Sequence, residues 1–209
     1  MGMPARRPTR VFLLSPARSD GERMALALAP AARFELAQRL RSSEGAPLGE
    51  VFRFASGLYF RGKLAYAVAF ARPPRGVPAA IVIAPGAGLV DARTAVRVAD
   101  LRAFAGVPVD AREPRFRAPL ERDARALAAR LGRNGEVVLL GSVASPKYVE
   151  PLLAVFGPRL LFPRAFVGRG DMSRGGLMLR AARAGVELEY AAVGGAVVHG
   201  PRPPRLPRT

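Results

Sequence analysis

The chain has 209 residues, half of them hydrophobic, which is enough for one α/β domain with a sizeable core but crowded for two. It contains no cysteine and one histidine. Disulfides, cysteine-ligated metal sites and a cysteine nucleophile are therefore excluded, and a Ser-His-Asp triad or a multi-histidine metal site is disfavoured. The formal net charge is +17, and of the 33 basic residues only Lys63 and Lys147 are lysine.

The surplus of arginine admits two interpretations. Alanine, glycine, proline and arginine are all abundant, which is typical of a GC-rich bacterial genome and inflates the arginine count without any functional demand. The same surplus would attract polyanions such as RNA or DNA, because arginine binds phosphate through two hydrogen bonds at once and stacks on bases. The sequence leaves both interpretations open.

Apolar runs bear on the location of the protein. None approaches the roughly 20 residues that a membrane span needs, and the run at residues 11–15 is shorter than the apolar region of a signal peptide. We therefore expect a cytoplasmic protein with no membrane partner.

Four short apolar runs predict strands, and continuous runs of this kind are typical of strands buried on both faces of a parallel sheet. They comprise residues 10–15, 79–84 and 136–141 and the apolar start of residues 159–180. Residues 186–193 alternate and predict a last strand, at an edge of the sheet. Residues 85–91 predict a turn-rich loop, whereas residues 48–54 fit either a helix or a strand.

Helical spacing of apolar residues marks the segments between these strands. The predicted helices comprise residues 22–28, 32–40, 57–71, 99–105, 119–131 and 145–155, and a further helix that begins near Asp171. Pro119 suits the first turn of its helix. In residues 57–71 one broad apolar stripe runs through Leu58, Phe60, Leu64, Ala67, Val68 and Ala71.

Strands that alternate with helices predict an α/β fold. We expect a three-layer, mostly parallel sheet with helices on both faces, Rossmann-like or flavodoxin-like. A single α/β domain would occupy residues 10–193. It would lie between a basic flexible arm at residues 1–9 and a proline- and arginine-rich extended tail at residues 194–209.

Residues 159–180 carry the sharpest local chemistry: a short apolar strand, a turn rich in glycine and arginine, and the start of a helix. Asp171 or Ser173 would cap that helix by accepting hydrogen bonds from its first backbone N–H groups. Gly168 and Gly170 would let the backbone adopt positive φ and approach a ligand closely.

In an open parallel sheet, ligands bind beyond the carboxyl ends of the strands. Here Arg169 and Arg174 flank a helix N-terminus whose free N–H groups favour an anion. Small, hydroxylated and cationic residues dominate this edge, which suits a phosphate or a nucleotide, although loops of any arginine-rich protein share much of that composition. The candidate ligand-binding residues are Ser15, Gly86, Gly88, Ser142, Ser145, Lys147, Gly168, Arg169, Gly170, Ser173 and Arg174.

Catalytic candidates are few. Asp171 and Glu150 are the acidic residues that could face a reactive atom, but Asp171 also suits a helix cap, and neighbouring arginines would keep it ionised. Asp20 and Asp91 are expected in turns, and His199 is expected to be solvated. No metal site is expected, and the sequence identifies neither a cofactor nor an oligomeric state.

Three segments occur in an order that resembles a group of small bacterial α/β proteins of unknown function. They are residues 13–17 (LLSPA), 57–67 (GLYFRGKLAYA) and 83–91 (IAPGAGLVD). The first and third also resemble the peroxide-stress resistance proteins, which open on a similar Ser-Pro-Ala turn and carry a Gly-Leu-Tyr-like segment. The resemblance covers about the first half of the chain, which lacks the Lys-Tyr of the third turn. It implies an α/β fold and association with nucleic acid or nucleobases, and it transfers no catalytic residue.

Three hypotheses for the function follow. The protein binds nucleic acid or a nucleotide-like phosphate ligand at the carboxyl edge of the sheet. Alternatively, it is an enzyme that acts on a nucleotide, a nucleoside or a phosphosugar. In the third hypothesis it is a structural or interaction protein whose charge reflects genome bias alone.

Overall fold

The computed structural model describes residues 8–18, 21–196, 200–201 and 203–204. The expectations for Asp20, for His199 and for most of the two basic arms lie outside these residues. The helices are α1 (Glu22–Leu28), α2 (Glu35–Arg41), α3 (Leu48–Ser56), α4 (Leu58–Phe70), α5 (Val98–Ala105), α6 (Pro114–Leu131), α7 (Pro146–Phe156) and α8 (Asp171–Ala184). The strands are β1 (Arg10–Leu14), β2 (Ala46–Pro47), β3 (Ala80–Ala84), β4 (Gly88–Asp91), β5 (Ala95–Val96), β6 (Glu136–Leu140), β7 (Leu160–Pro163) and β8 (Tyr190–Ala192).

Six strands form one sheet in the spatial order β4-β3-β1-β6-β7-β8. The four inner strands are parallel, and the two edge strands β4 and β8 are antiparallel to their neighbours. The expected mixed α/β fold with a mostly parallel sheet is therefore confirmed. The expected edge strand near the end of the domain is β8, although it is shorter than the alternating segment indicated.

Side chains of β1 divide between two apolar cores because successive residues of a strand point to opposite faces. Phe12 and Leu14 belong to one core, to which α1 to α4 and α8 contribute buried residues. Val11 and Leu13 belong to the other, which α6 and α7 cover. The continuous apolar run of β1 is explained by this burial on both faces.

The glycine-rich segment after β3 forms a hairpin, not the loop that we expected. Gly86 and Gly88 adopt positive φ, so the chain reverses tightly and returns beside β3 as β4. The backbone N–H of Leu89 donates a hydrogen bond to the Asp123 carboxylate at 2.9 Å, which ties the new strand to α6. Composition indicated the turn but not the pairing that follows it.

Two further helices differ from expectation at their starts. α6 begins at Pro114, where Glu113 accepts a hydrogen bond from the Arg115 N–H at 3.1 Å, so Pro119 lies inside the helix and not in its first turn. The N-cap of α8 is Gly170, and no side chain caps this helix. The capping role predicted for Asp171 or Ser173 is therefore wrong.

Helix α4 buries only part of the predicted stripe. Phe60 and Ala67 are buried as predicted, but Val68 is 67% exposed, and Lys63 and Tyr66, which lie outside the stripe, are fully buried. Most positions of this helix are apolar, so spacing alone cannot identify the face that packs. This packing of α4 places a lysine in the core.

The orientation of α4 is fixed by close backbone contact with α8. A Cβ atom added at Gly62 would lie 2.5 Å from the Gly175 carbonyl oxygen, and one added at Gly175 would lie 2.7 Å from the Leu58 carbonyl oxygen. The two glycines therefore let the helix backbones approach more closely than any side chain would allow.

Within the part of the chain that the structure describes, no helix is both long enough and apolar enough to span a bilayer.

Candidate functional site

A cavity of about 690 Å³ lies beyond the carboxyl ends of β1 and β6, and we call it the sheet-edge cavity. These two strands are neighbours in the sheet. The next strand of this sheet after β1 in the chain, β3, lies on one side of β1, and β6 lies on the other side. Loops that leave adjacent strands in opposite directions open a crevice between them, which is where ligands bind in open α/β sheets. The volume lies within the range of small-molecule sites.

The sheet-edge cavity brings together four residues that the sequence singled out. Ser15 follows β1, Ser142 follows β6, Lys147 lies in the first turn of α7, and Asp171 begins α8. The remaining wall is largely apolar and aromatic. It includes Met24, Phe52, Tyr59, Leu101, Phe104, Val107, Val109 and Tyr148.

The turn before α8, where we expected an anion site, does not line the sheet-edge cavity. Arg169 donates hydrogen bonds to the Ser173 hydroxyl at 3.2 Å and to the Pro204 carbonyl at 3.3 Å. Arg174 donates to the Phe166 carbonyl at 3.1 Å. These two guanidinium groups already contact protein acceptors, and neither residue lines the cavity.

The two glycines of that turn also have structural roles. Gly168 adopts the expected positive φ, but a Cβ atom there would collide with the Pro201 carbonyl oxygen, so part of the tail covers the turn. Gly170 has a φ of −79°, an ordinary conformation, and the positive φ predicted for it is wrong.

The other predicted residues lie around the cavity and not on its wall. Gly86 packs beneath Val107, and Gly88 approaches Asp123. Ser145 occupies the N-cap position of α7, with its hydroxyl buried and without a hydrogen-bond partner.

Glu150 lies on the outer face of α7, away from the cavity. It pairs with Arg117 at 2.5 Å, and its side chain is 53% exposed. The structure therefore brings only Asp171, of the two acidic candidates, to the site.

Lys63 was not predicted, and it forms the most unusual contact of the site. Its Nζ atom donates to the Ser15 carbonyl oxygen at 2.6 Å and lies 2.9 Å from the Ser15 Oγ. Lys63 is 1% exposed and Ser15 is 7% exposed. Among the described residues no carboxylate lies within ion-pair distance of this amine, and such burial of an unpaired ammonium is costly.

Burial therefore controls the protonation of Lys63. Desolvation lowers the pKa of its amine to about 7, against the opposing attraction of Asp171. The rings of Tyr59 and Phe60 lie 4.4 and 5.0 Å from Nζ and stabilise the ammonium form in part. The amine and ammonium forms are accordingly both populated near neutral pH.

Two tyrosines of the cavity wall retain their protons. Burial raises the pKa of Tyr59 to about 12, and it also raises the pKa of Tyr148. The Tyr59 hydroxyl forms no hydrogen bond of ordinary geometry, although Arg174 lies near it. The cavity wall thus includes a tyrosine whose buried hydroxyl lacks, among the described residues, the hydrogen-bond partner that such groups normally have.

Lys63 could have been found from one signal in the sequence. The chain contains only two lysines, and this one lies in a helix whose other residues, apart from Arg61, are apolar, aromatic or glycine. A charged residue among apolar neighbours is informative because lysine is almost never fully buried without a reason.

No three His, Cys, Asp or Glu side chains cluster as metal ligands would, within the residues that the structure describes. No known protein family, curated protein or solved structure gives a significant match to the chain. The resemblance to peroxide-stress resistance proteins stays a prediction.

Proposed function

We propose that this is a cytoplasmic protein that binds a nucleotide-sized, phosphate-bearing ligand in the sheet-edge cavity. The observation that carries the proposal is the convergence of Ser15, Ser142 and Lys147 on one cavity with an otherwise apolar and aromatic wall. Hydroxyls and an ammonium group suit a phosphate, and aromatic and aliphatic side chains suit a base.

The position of the cavity supports the same proposal. Apolar cores on opposite faces of the sheet fit a three-layer, Rossmann-like or flavodoxin-like arrangement. Proteins of that arrangement bind nucleotides where the strand order reverses, which here is the gap between β1 and β6. Asp171 at the rim is placed to accept hydrogen bonds from ribose hydroxyls.

Ligand-dependent thermal stabilisation tests the proposal. We expect one nucleotide, nucleoside or phosphosugar to raise the melting temperature at both low and high salt, since a ligand at ~100 times its Kd adds about 2.7 kcal/mol. Lys147→Ala should weaken binding about 10-fold or more, because it removes a charged hydrogen-bond donor from the wall.

Arg93→Ala is the matched control, since it removes one positive charge from a side chain that is 84% exposed and does not line the cavity. Unchanged affinity in the Lys147→Ala variant, or no stabilisation by any ligand of these classes, would contradict the proposal.

The net charge of +17 supports a second candidate, the binding of nucleic acid on the outer surface. Several exposed arginines pair with nearby acids, as in Arg93–Asp91 and Arg112–Asp110, but the 16 acidic residues cannot balance all the basic ones. Stabilisation by long RNA or DNA alone, lost at high salt, would favour this candidate over the cavity. Absence of both effects would leave genome bias as the cause of the charge.

A further inference from the structure

We propose that Ser15 is a nucleophile and Lys63 its general base, so that the sheet-edge cavity is the active site of an acyl-transfer enzyme. The substrate class is an ester or amide of nucleotide size, and the acyl acceptor is water. The inference rests on the proposed function for the place where the ligand binds, and it adds a reaction to it.

The geometry gives the two residues different roles. Ser15 lines the cavity, whereas Lys63 lies behind it and is 1% exposed. The distance of 2.9 Å from Nζ to Oγ is that of a hydrogen bond, which a proton transfer requires. A substrate in the cavity therefore reaches Ser15 before Lys63, which makes serine the nucleophile.

The second contact of Lys63 orients its lone pair. Nζ donates to the Ser15 carbonyl oxygen at 2.6 Å. A neutral amine that donates there can direct its lone pair at the hydroxyl proton of the same serine. The Ser15 hydroxyl also donates to the Leu140 carbonyl oxygen at 3.4 Å, a longer contact than the 2.9 Å to Nζ, so the hydroxyl is held between β1 and β6.

A purely structural role for Lys63 is less consistent with its surroundings. A buried ammonium that stabilises a fold is normally paired with a carboxylate. Ionisable groups reach the neighbourhood of Lys63 from its own helix α4, from α7 and α8, and from the segment after β1. They are Arg18, Tyr59, Lys147, Tyr148, Asp171 and Arg174.

Among them only Asp171 favours the ammonium, and its side chain is 68% exposed and lies 3.8 Å from Arg174. Burial outweighs its attraction and leaves the pKa of Lys63 at about 7, where a general base works best at neutral pH.

The reaction balances with water as the only co-reactant. The neutral Lys63 amine takes the hydroxyl proton of Ser15 as Oγ forms a bond to the acyl carbon and the carbonyl electron pair moves to oxygen. That pair returns as the bond to the leaving group breaks, and the leaving group takes the proton from the Lys63 ammonium. Water then attacks the acyl-serine ester, gives one proton to Lys63, and releases the acid as Oγ recovers a proton from Lys63.

Covalent labelling with an alkyl fluorophosphonate tests the proposal without knowledge of the substrate. Serine Oγ attacks phosphorus, fluoride leaves, and the serine proton passes to the base. We expect one adduct per chain, located on Ser15 by peptide mass spectrometry. The labelling rate should rise with pH through a midpoint near 7, because the amine fraction of Lys63 rises there.

Three variants make the result specific. Ser15→Ala should abolish the adduct, and Lys63→Met should slow labelling about 100-fold or more and remove its pH dependence, since a general base contributes about 10²–10⁴-fold. Ser145→Ala, which removes a buried hydroxyl outside the cavity wall, should label at the wild-type rate. Circular dichroism checks that each variant is folded.

An adduct on another residue, no adduct on the folded wild-type protein, or equal rates in Lys63→Met would overturn the proposal. If Lys63→Met does not fold, a labelling rate of the wild-type protein that does not change with pH would also overturn the proposal. Labelling of Ser15 without stabilisation by any phosphate ligand would retain the catalytic pair and reject the nucleotide. Stabilisation by a phosphate ligand without labelling of Ser15 would reject the catalytic pair and retain the nucleotide.

Discussion

Replacing Lys63 by methionine is expected to abolish a rise in folding stability that the wild-type protein shows between about pH 7 and about pH 9.5. Burial lowers the pKa of the folded amine to about 7, whereas an unfolded lysine titrates near 10.5. Between these values the unfolded chain binds the extra proton and the folded chain does not. The free energy of unfolding therefore increases with pH across this window.

The slope approaches about 1.4 kcal/mol per pH unit, so the increase from pH 7.5 to 9.5 is about 2 kcal/mol or more. Above that range tyrosine ionisation in the unfolded state reverses the trend, because burial raises the pKa of Tyr59 and Tyr148 in the folded state. Urea denaturation at several pH values measures both effects, and Lys63→Met should give a flat profile over the window.

Val68→Met is the matched control, since it lies on the exposed face of the same helix and should keep the wild-type slope. A flat profile in the wild-type protein would mean that Lys63 stays charged in the folded state. A slope that survives in Lys63→Met would assign the titration to another group.

Replacing Gly62 by leucine is expected to lower the free energy of unfolding by about 3 kcal/mol. Even a Cβ atom there would lie 2.5 Å from the Gly175 carbonyl oxygen and 2.9 Å from its Cα. Both are backbone atoms, so α4 and α8 would have to separate. Because Lys63 follows Gly62 directly, the separation would also displace the amine from Ser15.

Gly170→Ala is the control for this substitution. Gly170 precedes α8 with a φ of −79°, and a Cβ atom there would meet nothing within 4 Å. We expect a change within about 0.5 kcal/mol for this variant in urea denaturation. Equal stability of Gly62→Leu and the wild-type protein would show that the two helices do not need their close contact.

The sheet was predictable because its inner strands are short, continuous apolar runs. Residues 10–15, 79–84 and 136–141 match β1, β3 and β6 almost to the residue. β4 was missed because a glycine-rich turn has the same composition whether or not the chain after it pairs back. Such a hairpin depends on hydrogen bonds to β3 and to Asp123, which are distant in sequence.

Part of the candidate site was predictable from the order of the strands. The carboxyl ends of parallel strands share one edge, which brought Ser15, Ser142 and Lys147 together as expected. The surroundings of the turn before α8 could not be predicted from the strand ends, because Pro201 and Pro204 of the tail contact this turn.

Lys63 was missed for a different physical reason. Helix α4 is apolar on most sides, so periodicity could not show which face meets the sheet. Only the packing against α8, through the two glycines, turns the lysine toward Ser15.

The charge state of Lys63 in the folded protein is the most direct measurement of the central claim, that a neutral amine lies beneath the cavity serine. Lysine-selective ¹³Cε labelling gives only two resonances, since Lys63 and Lys147 are the only lysines, and Lys63→Met assigns them. We expect the Lys63 resonance to titrate with a midpoint near pH 7. A resonance that keeps its ammonium shift up to about pH 10 would contradict the claim, because Lys63 could not then accept a proton from Ser15 at neutral pH.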